Sequence, residues 1–242
     1  MILLIALLAA TTPASLEKSC KTGRIAACEE LGGRYADGIG VRRDLTRAAD
    51  LFRRACKGGN KDGCADDARM LALGEGQKAD PKDALARLDK MCKDELSRAC
   101  GHLGEVLLRG LGKPEDAPLA EDLLAKACDK GFGRACSNLA SVVYKAVAQR
   151  EQAEAFSFRG CNLGDPAGCA YLGDLYALSG DTVRAAVYLA KACEAGLARG
   201  CGGQGLLLVD SGADPKRGRT LLQKACDAGD VRSCSALRDL KK

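Results

Sequence analysis

Cys128-Asp-Lys-Gly-Phe-Gly-Arg-Ala-Cys136 is one of seven stretches in which two cysteines stand eight positions apart. The other pairs are Cys20 with Cys28, Cys56 with Cys64, Cys92 with Cys100, Cys161 with Cys169, Cys193 with Cys201 and Cys226 with Cys234. Successive pairs begin 36, 36, 36, 33, 32 and 33 residues apart, so the chain is a tandem repeat whose register the cysteines mark. All 14 cysteines of the 242-residue chain obey the scheme. An even and dense cysteine count points to disulfides made in an oxidising compartment.

Outward from each pair the pattern is helical. Leu103, Val106 and Leu107 in the first half of one repeat, and Leu119, Leu123 and Leu124 in its second half, recur at helical spacing. Each half is about 12–14 residues, the length of three to four helical turns. The unit is therefore an αα-hairpin. Asp44, Asp80, Asp181 and Asp214 stand where second helices begin, and Asp80-Pro81 and Asp214-Pro215 put proline just after the cap. Three residues past the first cysteine comes Gly23, Gly59, Gly131, Gly164, Gly196 or Gly229, suited to a left-handed helix end. Glu95 is the exception. Small residues recur four positions after the second cysteine (Gly32, Ala68, Gly173, Gly205) and eight before the next first one (Ala48, Ala84, Ala185, Gly218). They let paired helices approach closely.

The spacing places the first cysteine in the last turn of one helix and the second at the opening of the next. A short reversal between antiparallel neighbours brings two Cα atoms within disulfide range. The seven pairs named above are thus the expected bridges, each stabilising by roughly 2–3 kcal/mol. Zinc would want close-set thiols or histidines, and the one histidine is His102. No metal or other cofactor is expected. The fold class that follows is all-α: an α-solenoid of disulfide-linked hairpins. Residues 16–242 form one solenoid, six αα-hairpins and a C-terminal capping helix.

The apolar run Met1–Ala10, followed by Pro13, reads as a signal peptide over residues 1–15, about half the ~20 residues of a membrane span. An exported protein, periplasmic or extracellular, without an integral membrane span is expected. Charge is +5, from 37 Lys and Arg against 32 Asp and Glu, interleaved rather than clustered. With four Phe, five Tyr and no Trp, nothing offers a basic, stacking surface, so nucleic acid is not a partner.

Leu31-Gly-Gly-Arg-Tyr-Ala-Asp-Gly-Ile-Gly-Val-Arg-Arg-Asp44, with Ala48-Ala-Asp-Leu-Phe-Arg-Arg-Ala-Cys56, resembles the Sel-one-like repeat, a relative of the tetratricopeptide repeat. The units opening at Cys100 and Cys169 resemble it well. Asp67 and Gln204 depart from it, replacing a leucine. The paired cysteines look like those of its secreted Hcp-type subgroup. That resemblance implies a right-handed, Sel1-like and TPR-like superhelix and, as an alternative function, β-lactam binding with weak β-lactamase activity. Ser15-Leu-Glu-Lys18 and Lys21-Thr-Gly23 match two serine β-lactamase strings, but they stand almost adjacent, whereas those enzymes carry them on a helix and a distant strand. No catalytic residue is assigned.

Positions two, five and nine after each helix-opening cysteine share one helical face. Their chemistry varies while the packing positions stay uniform. The candidate partner-binding residues are His102, Glu105 and Arg109, then Asn138, Ser141 and Lys145, then Tyr171 and Asp174. Such a stripe on the concave face of first helices suits a protein, an extended peptide or a cell-wall fragment.

Overall fold

The computed structural model describes residues 12–111, 116–143 and 149–240. Among them the backbone is helical throughout, with no strand. The helices are α1 (Pro13–Lys21), α2 (Ile25–Asp37), α3 (Leu45–Lys57), α4 (Lys61–Leu73), α5 (Pro81–Lys93) and α6 (Ser97–Val106). They continue with α7 (Ala117–Asp129), α8 (Gly133–Val143), α9 (Arg150–Asn162) and α10 (Pro166–Leu178). The last are α11 (Thr182–Glu194), α12 (Ala198–Asp210), α13 (Pro215–Asp227) and α14 (Val231–Asp239). The chain forms two compact units divided between Ala120 and Glu121. Each is a stack of αα-hairpins, the expected all-α repeat architecture. Even-numbered helices from α2 onward are the first helices of the hairpins and odd-numbered ones the second.

All seven disulfides form as the spacing predicts. Cys20 bonds to Cys28, Cys56 to Cys64, Cys92 to Cys100 and Cys128 to Cys136. Cys161 bonds to Cys169, Cys193 to Cys201 and Cys226 to Cys234. Cα atoms are 4.3–4.8 Å apart, the shortest separation being that of Cys56 and Cys64. Each bridge ties a second helix, or α1, to the next first helix. Their surroundings are not uniform: Cys28 and Cys136 are buried, whereas Cys64 and Cys234 open α4 and α14 half-buried.

The turn inside each bridge repeats one hydrogen-bond pattern. Gly131 N–H donates to Cys128 O at 3.0 Å and Phe132 N–H to Ala127 O at 2.9 Å, closing the helix end on itself. The residue three past the first cysteine takes positive φ in every junction, from 84° to 98° where it is glycine. Glu95 takes 62° at the same place, the only positive-φ residue besides glycine among the described ones. Geometry imposed by the bridge overrides the side chain's preference there.

The expected caps are present. Asp44, Asp80, Asp181 and Asp214 accept the backbone N–H three residues on, at 2.9–3.2 Å. Pro81 and Pro215 open α5 and α13. The small positions do what close approach requires. A Cβ on Gly205 would meet Gly218 O at 2.8 Å, and one on Gly218 would meet Gly205 O at 2.7 Å, so the α12 and α13 backbones touch. The hairpin loops at 179–181 and 211–214 are shorter than those at 38–44 and 74–80, as the shorter repeats require. α1 packs Leu16 and Cys20 against Ala27, Cys28 and Leu31. The expected leader, residues 1–15, thus overlaps the start of α1, and residues 1–11 lie outside the described ones.

A left-handed non-glycine residue costs roughly 1–2 kcal/mol, partly offset in Glu95→Gly by the extra freedom of unfolded glycine. Glu95→Gly is expected to stabilise by about 0.5–1 kcal/mol, read as a higher melting temperature of the oxidised protein. Replacing Cys128 and Cys136 together by serine should accelerate amide exchange at the α7–α8 junction far more than at α12–α14. Uniform acceleration would contradict nearest-neighbour coupling between hairpins.

Candidate functional site

The stripe of variable positions has opposite fates in the two units. In the first it is closed by ion pairs. His102, a candidate partner-binding residue, is only 1% exposed, and Glu105 is buried with it. The reason lies one repeat upstream. Asp66 Oδ1 is 2.7 Å from His102 Nε2, and His102 Nδ1 lies 3.7 Å from Glu105 Oε2. Buried Arg69 reaches Glu75 at 3.0 Å and Glu105 at 3.4 Å. Arg109 is half exposed, but its guanidinium is held by Glu75 at 3.1 Å and Glu105 at 3.2 Å. At the other end Arg98 joins Asp66 at 2.8 Å and Glu29 at 2.7 Å, linking α6 to α4 and α2.

Burial opposes the Arg98 charge, but Asp66, Glu29 and Asp62 outweigh it and raise its pKa. Burial also raises the Glu29 pKa, with Arg98 opposing and Asp66 and Asp62 adding to the rise. One guanidinium thus serves three carboxylates. The network holds first helices together and leaves no open surface at His102 or Glu105. The partner-contact role read for these two residues is therefore corrected: they face neighbouring repeats.

In the second unit the same positions open. Tyr171, Asp174 and Leu178 on α10, with Gly203, Leu206 and Asp210 on α12, line a cavity of about 560 Å³. These are the second, fifth and ninth positions after Cys169 and after Cys201. A volume of this size lies in the range of ligand pockets. Gly203 stands where every other repeat carries a side chain, and a Cβ there would meet Leu189 Cδ2 at 2.6 Å, so the glycine lets Leu189 of α11 pack against α12. Asn138 and Ser141 are half-buried on α8 and are not among the cavity-lining residues described, and Lys145 lies outside the described residues.

Two arginines that the stripe reading missed complete the cavity. Arg199 donates to Asp174 Oδ2 at 2.7 Å and stacks 4.4 Å above the Tyr171 ring, and Arg232 reaches the same oxygen at 3.4 Å. Burial works against the Arg199 charge, yet the Asp174 hydrogen bond and charge raise its pKa overall. A signal for both arginines was in the sequence. Arg98, Arg134, Arg199 and Arg232 each stand two residues before a helix-opening cysteine, Arg232 before Cys234. From that position Arg98 and Arg199 reach back to acids on the preceding first helix.

The Sel1 repeat model matches residues 25–60, 97–132, 161–197 and 200–230, more than half of the chain. The chain belongs to the Sel1 repeat family. The unmatched stretch between residues 60 and 97 holds Asp67, which occupies a leucine position and is buried against Arg87 at 3.1 Å. The Sel1 repeat fold is shared with a protective antigen present in uropathogenic Escherichia coli strains, at TM-score 0.64 and 22% identity. That match covers 94% of this chain and 51% of the antigen, so the chain spans about half the antigen's length. A Sel1 repeat protein from Oxalobacter formigenes is similar at TM-score 0.58 and 19% identity, covering 91% and 90% of the two chains. An immunity protein from Pseudomonas aeruginosa is similar at TM-score 0.61 and 17% identity, covering 85% and 82%. These likenesses establish fold alone. No curated protein matches the chain.

Within this Sel1 repeat chain the β-lactamase-like strings sit on and just past one short helix. Ser15 Oγ donates to Thr12 O at 2.9 Å as part of the α1 cap, and Lys21 ends that helix.

The Glu29 pKa has a readable consequence. A carboxyl raised by burial contributes stability below the ordinary carboxylate range and loses it as pH rises through its folded value. At pH 7 Glu29→Gln is therefore expected to stabilise the first unit by up to about 1 kcal/mol, the gain shrinking as pH falls toward 4. Arg98→Met removes the guanidinium shared by three carboxylates and should cost about 3–5 kcal/mol. Urea unfolding of both variants checks this, and equal midpoints at pH 7 would refute it.

Proposed function

We propose that the protein is an exported, disulfide-braced scaffold that holds a protein or extended peptide partner against the first helices of its second unit. One observation carries the reading: six variable positions of α10 and α12 converge on a single cavity, while Asp66, Arg69, His102, Glu105 and Arg109 at the equivalent positions of α4 and α6 contact one another or neighbouring charged groups. Sel1 membership supports a scaffold role. Export is supported by seven disulfides, which need an oxidising compartment, with residues 1–15 as the leader. The leucine-rich lining favours a peptide side chain over a cell-wall saccharide, which wants aromatic platforms and dense polar groups. Leu178 at the rim is 70% exposed, an apolar side chain that a partner would cover.

A photo-reactive p-benzoylphenylalanine in place of Leu178 tests this in the native host's envelope. A discrete cross-linked partner is expected, lost when Leu206→Asp is added and absent when the probe replaces Lys93 on α5. Equal yields from both probe positions, or a band indifferent to Leu206→Asp, would dismiss the second-unit site.

A further inference from the structure

The cavity has more donors than its own acceptors use. Arg199 and Arg232 share one carboxylate oxygen of Asp174, which leaves an excess of one positive charge and several guanidinium N–H groups for two cations and one anion. Arg232 is 61% exposed and sits at the rim. Two buried polar atoms of cavity residues, Ser157 Oγ and Arg199 Nε, have no hydrogen-bond partner among the described residues. A buried donor without an acceptor costs about 1–3 kcal/mol, so an occupant that supplies an acceptor relieves that penalty.

The donors and the apolar lining occupy different ends. Arg199 lies in the first turn of α12, whose N-terminal dipole end also favours an anion. Leu206 is seven residues further along, about 10 Å at 1.5 Å per residue. Asp210, the other carboxylate, is further still and about 16 Å from Arg199 by the same rise, too distant to neutralise it. In an extended peptide, residues i and i+2 project side chains from one face about 7 Å apart. Side-chain length makes up the remainder.

Building on the proposed scaffold role, we propose that the occupant is an extended peptide carrying an acidic residue two positions from a large aliphatic or aromatic one. Arg232 and Arg199 hold the carboxylate, and the leucine-lined part of the cavity beside Leu206 takes the apolar side chain. Bidentate guanidinium–carboxylate pairing accounts for the use of arginine rather than lysine at both sites.

Random heptapeptides displayed on phage and selected on the oxidised protein provide the probe. Enrichment of Glu or Asp two positions from Leu, Ile or Phe is expected. Each selected peptide is then resynthesised with its acid as Glu or Gln and titrated by fluorescence polarisation. The Gln form should bind about tenfold more weakly, and Arg232→Gln should weaken the Glu form about tenfold while leaving the Gln form unchanged. The Glu/Gln comparison on the unaltered protein needs no variant to fold. Peptides that lose binding with Leu206→Asp but bind equally as Glu and Gln overturn this inference and leave the scaffold site standing. No enrichment, or binding indifferent to Leu206→Asp, overturns both.

Discussion

Everything in this molecule depends on a covalent closure at each turn between a second helix and the next first helix. The bridge forces a chain reversal within eight residues, and the left-handed residue three past the first cysteine is the only backbone solution used in all seven junctions. Glu95 shows which constraint dominates, since a residue that disfavours this conformation adopts it anyway. Because each junction has the same geometry, successive first helices within a unit enter their stack in the same register. The second, fifth and ninth residues after each helix-opening cysteine therefore share one face. A functional surface can then be assembled from single substitutions in separate repeats without disturbing the packing positions beneath it.

The parts of the fold set by local chemistry were legible in the sequence. The seven bridges, from Cys20–Cys28 to Cys226–Cys234, follow from spacing alone, because a reversal of eight residues leaves each cysteine one partner within reach. How deeply each bridge sits was not legible: Cys64 and Cys234 are half-buried where Cys28 is buried, since the packing around a junction comes from other helices. Asp44 and Asp214 cap helices because a carboxylate beside a bare backbone N–H is a local matter, and Gly205 and Gly218 mark a close crossing because only glycine permits it. The stripe was legible as a position but not as an environment. Nothing within α6 says that His102 is buried, because the group that buries it, Asp66, is 36 residues upstream. The same holds for Asp174, whose partners Arg199 and Arg232 come from the next two first helices. Exposure in a repeat protein is set between repeats. Reading it from sequence requires pairing each stripe position with the residue two before the following helix-opening cysteines.

The two units illustrate how one framework yields a brace or a cavity. In the first, acids at Asp66 and Glu105 meet Arg98, Arg69 and Arg109, and Asp66, Arg69, His102 and Glu105 become interior. A buried network of this kind contributes little net stability, because desolvation offsets much of the attraction, but removing the guanidinium that several carboxylates share is expensive. It specifies which first helix lies beside which. In the second, Gly203 and Leu206 replace those ionic side chains, and the space between α10 and α12 stays open. Asp174, held by Arg199 and Arg232, keeps an ionic cluster of the same type at one end.

An open cavity lined by leucines is unfavourable in an isolated soluble protein unless the backbone around it cannot collapse. Here α10 and α12 are each pinned at their N-terminal ends, by Cys161–Cys169 and Cys193–Cys201, and pressed onto α11 through Gly173 and Gly200. The wall is therefore built before any occupant arrives. Ordering cost is a main reason that buried area converts poorly into affinity, and a prebuilt wall removes the receptor's share of it. In the proposed peptide-binding role the disulfide ladder would serve recognition as directly as stability: it keeps apolar surface and unmatched donors apart, where a less constrained hairpin stack would close over them.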